Sequence, residues 1–183
     1  MHMGEKGIAV AGTTIYVITG PSGVVDHANA TENMDAFGPG YGNSVTTLWP
    51  QIYQAKDHIK LGGFARGSGS TPTLLGHEYL AVTDNANDQI GVLVYRQSPQ
   101  PHQNTLVCRV PVFEPGASAC DVGGIGHADG RGGYSAMVLN DYNAPPLHLT
   151  ATDINGEFNN LTQMAPGAVR VDATPDSSGC SVG

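Results

Sequence analysis

Asp and Asn side chains concentrate where two apolar strands end, and they are the residues of this sequence best suited to chemistry. Asp84 and Asn85 follow the run Leu-Ala-Val-Thr, and Asn140 and Asp141 follow Ala-Met-Val-Leu. Calcium takes six to eight oxygen ligands from carboxylates and amides. We therefore expect these four residues to share one Ca²⁺ if their strands are neighbours. The alternative is that they cap turns, as Asx residues often do.

A second candidate is an imidazole beside a carboxylate. His127 and Asp129 lie in the glycine-rich stretch Gly-Ile-Gly-His-Ala-Asp-Gly, so flexible backbone could bring the two side chains together. Such a pair can act as a general base with its orienting carboxylate. The alternative for His127, as for the other isolated histidines, is a surface or packing residue.

The serine and cysteine residues give weaker indications of a catalytic or metal site than the Asp, Asn and His residues above. No Gly-x-Ser-x-Gly motif occurs, and Ser68 and Ser70 in Gly-Ser-Gly-Ser are expected to be turn residues. Cys108, Cys120 and Cys180 have no zinc-ligand spacing. Two of the three could form a disulfide in an exported protein, or all three could stay thiols in a reducing compartment.

Composition limits the classes of function. The chain has 183 residues, a formal charge of −8 and no Lys/Arg cluster, so a nucleic-acid partner is not expected. No apolar run is long enough for a membrane-spanning helix. With 7% aromatic residues and eight Lys or Arg, a quinone- or sugar-binding oxidoreductase is also disfavoured. A small-molecule substrate or ligand is the expected partner.

The elements that must position these side chains are short strands. Alternating apolar residues predict strands over residues 7–11, 14–18, 79–82, 90–95, 106–110 and 168–171. The 25 glycines and 12 prolines suit tight turns between them. The chain is therefore expected to be all-β.

A weak repeat organises these strands. Residues 12–19, 76–84 and 133–141 each run from Gly through a Tyr-containing apolar strand to Thr, Asn or Asp. A period of about 60 residues is longer than common propeller repeats, but one four-stranded blade fits each unit. We predict one domain, 1–183, with blades over about 7–64, 65–118 and 119–183. Three to four blades leave open sheet edges, so the propeller is expected to be incomplete or closed by a homo-oligomer; the alternative is that the strands close as a smaller barrel or sandwich.

Several segments resemble a group of secreted, largely uncharacterised β-propeller proteins. They comprise residues 67–76, 80–84, 92–96, 106–118, 166–172 and 178–180. The resemblance implies a secreted or periplasmic protein, a partial propeller, and a Cys108–Cys180 disulfide with Cys120 free.

Analogy with propeller lactonases then suggests a function. A calcium ion would polarise the carbonyl of a lactone, such as an acyl-homoserine lactone, and lower the pKa of bound water, while His127 took the proton. The alternative is a non-catalytic module that binds a ligand or forms part of a larger propeller.

Overall fold

The computed structural model describes residues 2–21, 31–57, 60–61, 67–144, 165, 167–174 and 179–183. Twelve strands are found there: β1 (His2–Ala11), β2 (Thr14–Pro21), β3 (Thr31–Pro39), β4 (Val45–Gln54), β5 (Thr73–Leu75), β6 (Tyr79–Thr83), β7 (Gly91–Arg96), β8 (Leu106–Pro111), β9 (Ile125–Ala128), β10 (Tyr134–Leu139), β11 (Ala168–Ala173) and β12 (Cys180–Val182). Within these segments no helix is long and apolar enough to cross a membrane.

The strands form three antiparallel sheets, β1–β4, β5–β8 and β9–β12, each paired in chain order. The all-β prediction of incomplete propeller blades is confirmed. The first strands lie near one another, since β5 contacts both β1 and β9. This is the arrangement of propeller blades whose innermost strands surround a common axis.

The repeat found in the sequence is the second strand of each sheet together with the turn before it. Residues 12–19 cover most of β2, and residues 76–84 and 133–141 contain β6 and β10. Gly12 and Gly76 have φ values of +58° and +59°, which a side chain would disfavour. The glycine that opens these two copies of the repeat is therefore required by the turn.

Two apolar layers hold the sheets together. The first and second sheets enclose a core that includes Tyr16, Met34, Trp49, Leu80 and Tyr95. The other face of the second sheet packs on the third through a set that contains Val92, Val94, Ala136, Val138 and Val171. Because both faces of β6 and β7 are buried, their sequences are nearly continuous apolar runs instead of alternating apolar and polar residues.

A disulfide joins the outer strands of two sheets. Cys108 of β8 is bonded to Cys180 of β12, and their Cα atoms are 6.1 Å apart. Cys120 is a buried free thiol. This confirms the pairing that the family resemblance implied.

Candidate functional site

Buried polar side chains gather at one end of the sheets, which we call the polar end. In an antiparallel meander the loop after the second strand and the connection leaving the fourth strand lie at the same end. The β6–β7 and β10–β11 loops therefore meet the β4–β5 and β8–β9 connections there. Backbone contacts confirm the meeting, because the Asp141 amide donates to the Ala119 carbonyl at 3.0 Å.

Lys60 interacts electrostatically with two of the four predicted ligands, Asp84 and Asp141. Its Nζ donates to the Ser118 carbonyl at 2.8 Å and also to the Ala86 carbonyl. Burial lowers the pKa of Lys60 to about 8, while the charges of Asp84, Asp88 and Asp141 oppose that fall. An ammonium group thus already supplies positive charge to the two strand ends.

Asp84 and Asn85, at the end of β6, have their own partners. Asp84 Oδ2 accepts from Arg109 Nε at 2.5 Å, and Oδ1 accepts from the amides of Ala86 and Gly91. Asn85 has φ +49° and donates from Nδ2 to the Gly67 carbonyl at 2.9 Å. Its buried Oδ1 has no hydrogen-bond partner within the described segments. This pair mainly fixes the local loops.

Asn140 and Asp141 connect β10 to the β8–β9 connection. Asn140 Oδ1 accepts from the Ala119 amide at 3.1 Å, and Nδ2 donates to the Ala117 carbonyl at 2.9 Å. Asp141 Oδ2 accepts from the Asp121 amide at 2.6 Å. The fold brings all four predicted residues to the polar end. The negative charges of Asp84 and Asp141 both act on the Lys60 ammonium there.

A second chain of hydrogen bonds passes through the Gly-Ser-Gly-Ser segment. Glu32 Oε2 accepts from the Ser68 amide at 2.8 Å and from the Tyr53 hydroxyl. Burial and the Glu32 charge raise the pKa of Tyr53 well above its usual value. The Ser68 and Ser70 hydroxyls are 2.7 Å apart, and Thr83 donates to Ser70. These serines are buried network members and have no imidazole partner in the hydrogen bonds described.

Lys56 is the residue of the polar end that sequence reasoning missed. It follows β4 on the connection to the second sheet, its side chain is 0% exposed, and its Nζ has no hydrogen-bond partner among the residues described. Burial, reinforced by the Lys60 charge, lowers its pKa to about 7. A buried lysine with this property is typical of reactive amines.

His127 and Asp129 lie elsewhere. All four residues of β9 are exposed, and the strand register places His127 on the same face as the exposed Ile125 and Met137. Asp129 Oδ1 accepts from the amides of Arg131 at 2.7 Å and Gly133 at 2.9 Å, and these bonds lower the pKa of Asp129. The carboxylate is bonded as in an Asx turn.

Comparison with known proteins was informative only at the level of structure. No family model matches the chain, and no curated protein matches it. Two solved structures are similar, both with a TM-score of 0.50. Synechocystis apocarotenoid oxygenase (ACO) is 11% identical over 98% of this chain and 37% of that one, and an ACO/RPE65 chimera is 9% identical over 93% and 34%. The chain spans about a third of each, and the likeness shows a shared fold.

These findings correct the sequence-based interpretation. The resemblance to a secreted propeller family with lactonase analogues is wrong, because the structural neighbours are oxygenase proteins. Neither the lactone hydrolase nor the non-catalytic module is supported. No calcium site is evident in the described part of the chain, where no group of three or more His, Cys, Asp or Glu that could hold a metal ion occurs, and the Ca²⁺ assignment stays a prediction.

Proposed function

We propose that this chain is a three-blade part of a propeller oxygenase that acts on an apocarotenoid or a comparable long apolar polyene. The observation that carries the proposal is the likeness to an apocarotenoid oxygenase over 98% of the chain, with three consecutive four-stranded sheets. A propeller hosts many activities, so the proposal needs a direct assay.

Ring closure is part of the proposal. The outer face of the first sheet exposes Ile8, Val10 and Ile52 by 62%, 58% and 71%. The register places Ile8 and Val10 opposite Val17 and Ile15, so these four side chains form one apolar patch on β1 and β2, and Ile52 lies across β3 on the same face. An apolar sheet face of this extent is expected to be covered by another sheet.

The outer face of the third sheet is the complementary surface. Ile125 is opposite Met137, and both are exposed, as is Leu139. Packing this face on the first sheet of a second copy would give a six-blade ring, which is within the usual four to eight blades. We propose a head-to-tail homodimer as the closed form. His127 lies on the same face as Ile125, so in that ring it would be at the junction between the two copies.

The described side chains limit which cofactor this chain could hold. Chemistry with O₂ requires a redox metal or an organic cofactor. In the part of the chain that the structure describes, His77, His102 and His127 are each exposed, and no metal-ligating group of three is formed. The described residues therefore do not fit a metal, and we derive no catalytic step through one.

Export is proposed on the Cys108–Cys180 disulfide, because such bonds persist in oxidising compartments such as the periplasm. A secreted or periplasmic location predicts that protein recovered from that compartment is fully disulfide-bonded at this pair. Recovery of the pair as thiols would contradict it.

The experiment is a comparison of apocarotenal consumption in air and under argon. The polyene absorbance is expected to fall with time only in air, with a rate proportional to the concentration of dimer. Loss at the same rate under argon, or no loss at any protein concentration, would refute the proposed activity. Val10→Glu, which places a charge on the dimer face, serves as a matched variant and is expected to lower the rate together with the dimer fraction.

A further inference from the structure

We propose that Lys56 is a covalent carbonyl-binding site, at which a small aldehyde condenses with the side-chain amine to form an imine. The site goes beyond the oxygenase proposal and does not depend on it, because imine formation needs no oxygen. It rests on where the amine lies, what it contacts and which groups surround it.

Lys56 and Lys60 lie on the same connection but are held differently. The Lys60 ammonium is stabilised by two carbonyl acceptors, Ala86 and Ser118. Lys56 is completely buried, and no acceptor for its Nζ is found among the described residues. A buried ammonium without an acceptor is strongly disfavoured, so the neutral amine is the preferred state.

The charges around Lys56 are mixed. Lys60 disfavours its charged form, whereas Asp121 and Asp57 favour it, and burial outweighs all three. The resulting pKa of about 7 leaves about half of the amine neutral at pH 7, against about one part in a thousand or less for an ordinary lysine. Neutral lysine is the nucleophile in Schiff-base chemistry.

Asp121 provides a proton carrier. Its Oδ1 lies so close to Gly69 that a Cβ at that position would be 2.0 Å away, so glycine leaves the room that the carboxylate occupies. Asp121 is itself buried, with 5% of its surface exposed. Its charge acts on Lys56 from the β8–β9 connection.

The reaction balances without a redox partner. The Nζ lone pair attacks the carbonyl carbon, a C–N bond forms as the C=O π bond breaks, and the oxygen takes the proton that nitrogen loses. Asp121 relays that proton and the next one, the hydroxyl leaves as water, and the nitrogen lone pair closes the C=N bond. Because the amine is fully buried, the probe chosen for the site is a small aldehyde.

The test is reductive trapping of the full chain by propanal and cyanoborohydride, with peptide mass mapping of its three lysines, Lys6, Lys56 and Lys60. Because their pKa values are about 7 and about 8, Lys56 is expected to be alkylated about five-fold faster than Lys60 at pH 7. The pH midpoint of Lys56 alkylation is expected near 7.

Two variants separate this role from simple reactivity. Lys60→Met removes a repelling charge, so the midpoint of Lys56 should move to higher pH. Asp121→Asn removes an attracting charge, so the midpoint should fall while trapping at high pH becomes slower. Far-UV circular dichroism checks that each variant is folded. Lys56 that is alkylated only after unfolding, or that has a midpoint near that of ordinary lysine, would overturn the proposal.

Discussion

Replacing Lys56 by Met should stabilise the protein, and the gain should depend on pH. Lys56 is fully buried, and its pKa falls from 10.5 to about 7 on folding. Between these values the unfolded chain binds more protons than the folded one, so the wild type gains stability as pH rises through this window. Below about pH 7, the folded protein bears the full free-energy cost of keeping the Lys56 ammonium out of water.

The size of the effect follows from that fall in pKa. It corresponds to about 5 kcal/mol when the lysine is fully protonated and to about 4 kcal/mol at pH 7. Removing Lys56 also deprives Asp121 and Asp57 of a favourable neighbour, which reduces the gain. We expect Lys56→Met to raise the free energy of unfolding by about 2–4 kcal/mol at pH 7, in the range found when buried charges are replaced by apolar side chains.

Urea unfolding of both proteins between about pH 6 and pH 10 measures this difference. The gap should be largest at the acidic limit and should nearly close at the alkaline one. Lys60→Met is the control: its ammonium has two carbonyl acceptors and nearby carboxylates, so its loss should destabilise the protein. A Lys56→Met protein that is less stable than wild type throughout, or a gap that does not change with pH, would refute the reasoning.

Three further predictions concern other parts of the fold. Replacing Cys108 by Ser opens a loop with a sequence separation of 72 and should lower the free energy of unfolding by about 4 kcal/mol. Cys120→Ala leaves the disulfide intact and should lower it by at most about 2 kcal/mol. Equal losses in the two variants would contradict the disulfide's role. Gly69→Ala should lower the thermal midpoint because its Cβ would overlap Asp121, while Gly123→Ala, whose nearest neighbour is 3.4 Å away, should be tolerated; the reverse order would argue against the packing at the polar end. Val10→Glu should shift sedimentation toward monomer, and an unchanged dimer fraction would remove the first sheet from the interface.

The strands could be predicted where local sequence decides them. The glycine that opens the repeat and the apolar run after it predicted the second strand of each sheet. The turn before that strand requires a left-handed backbone conformation, which Gly12 and Gly76 adopt. β3 was missed because Asn33 and Asp35 alternate with Met34 and a buried Glu32, which hides the apolar period. β9, in the glycine-rich stretch around His127, was not predicted because its exposed residues have no apolar pattern.

The site could be predicted only in part. Asp and Asn at the ends of β6 and β10 do meet at one end of the sheets, as strand order suggested. The cations near them are Arg109, which is bonded to Asp84, and Lys60 of the β4–β5 connection. Nothing near Lys60 in the sequence indicates that it reaches Ser118. Lys56 lies in the polar stretch Gln-Ala-Lys-Asp, which predicts exposure. Low aromatic and basic content disfavours a quinone- or sugar-binding oxidoreductase, and this stays a prediction.

Incorporation of ¹⁸O from labelled O₂ tests the central claim, a propeller oxygenase, most directly. The protein is incubated with an apocarotenal under ¹⁸O₂, and the products are analysed by mass spectrometry. We predict a shortened carbonyl product that carries the heavy isotope and forms only with folded protein. Intact substrate after prolonged incubation, or products whose oxygen comes entirely from water, would contradict the account.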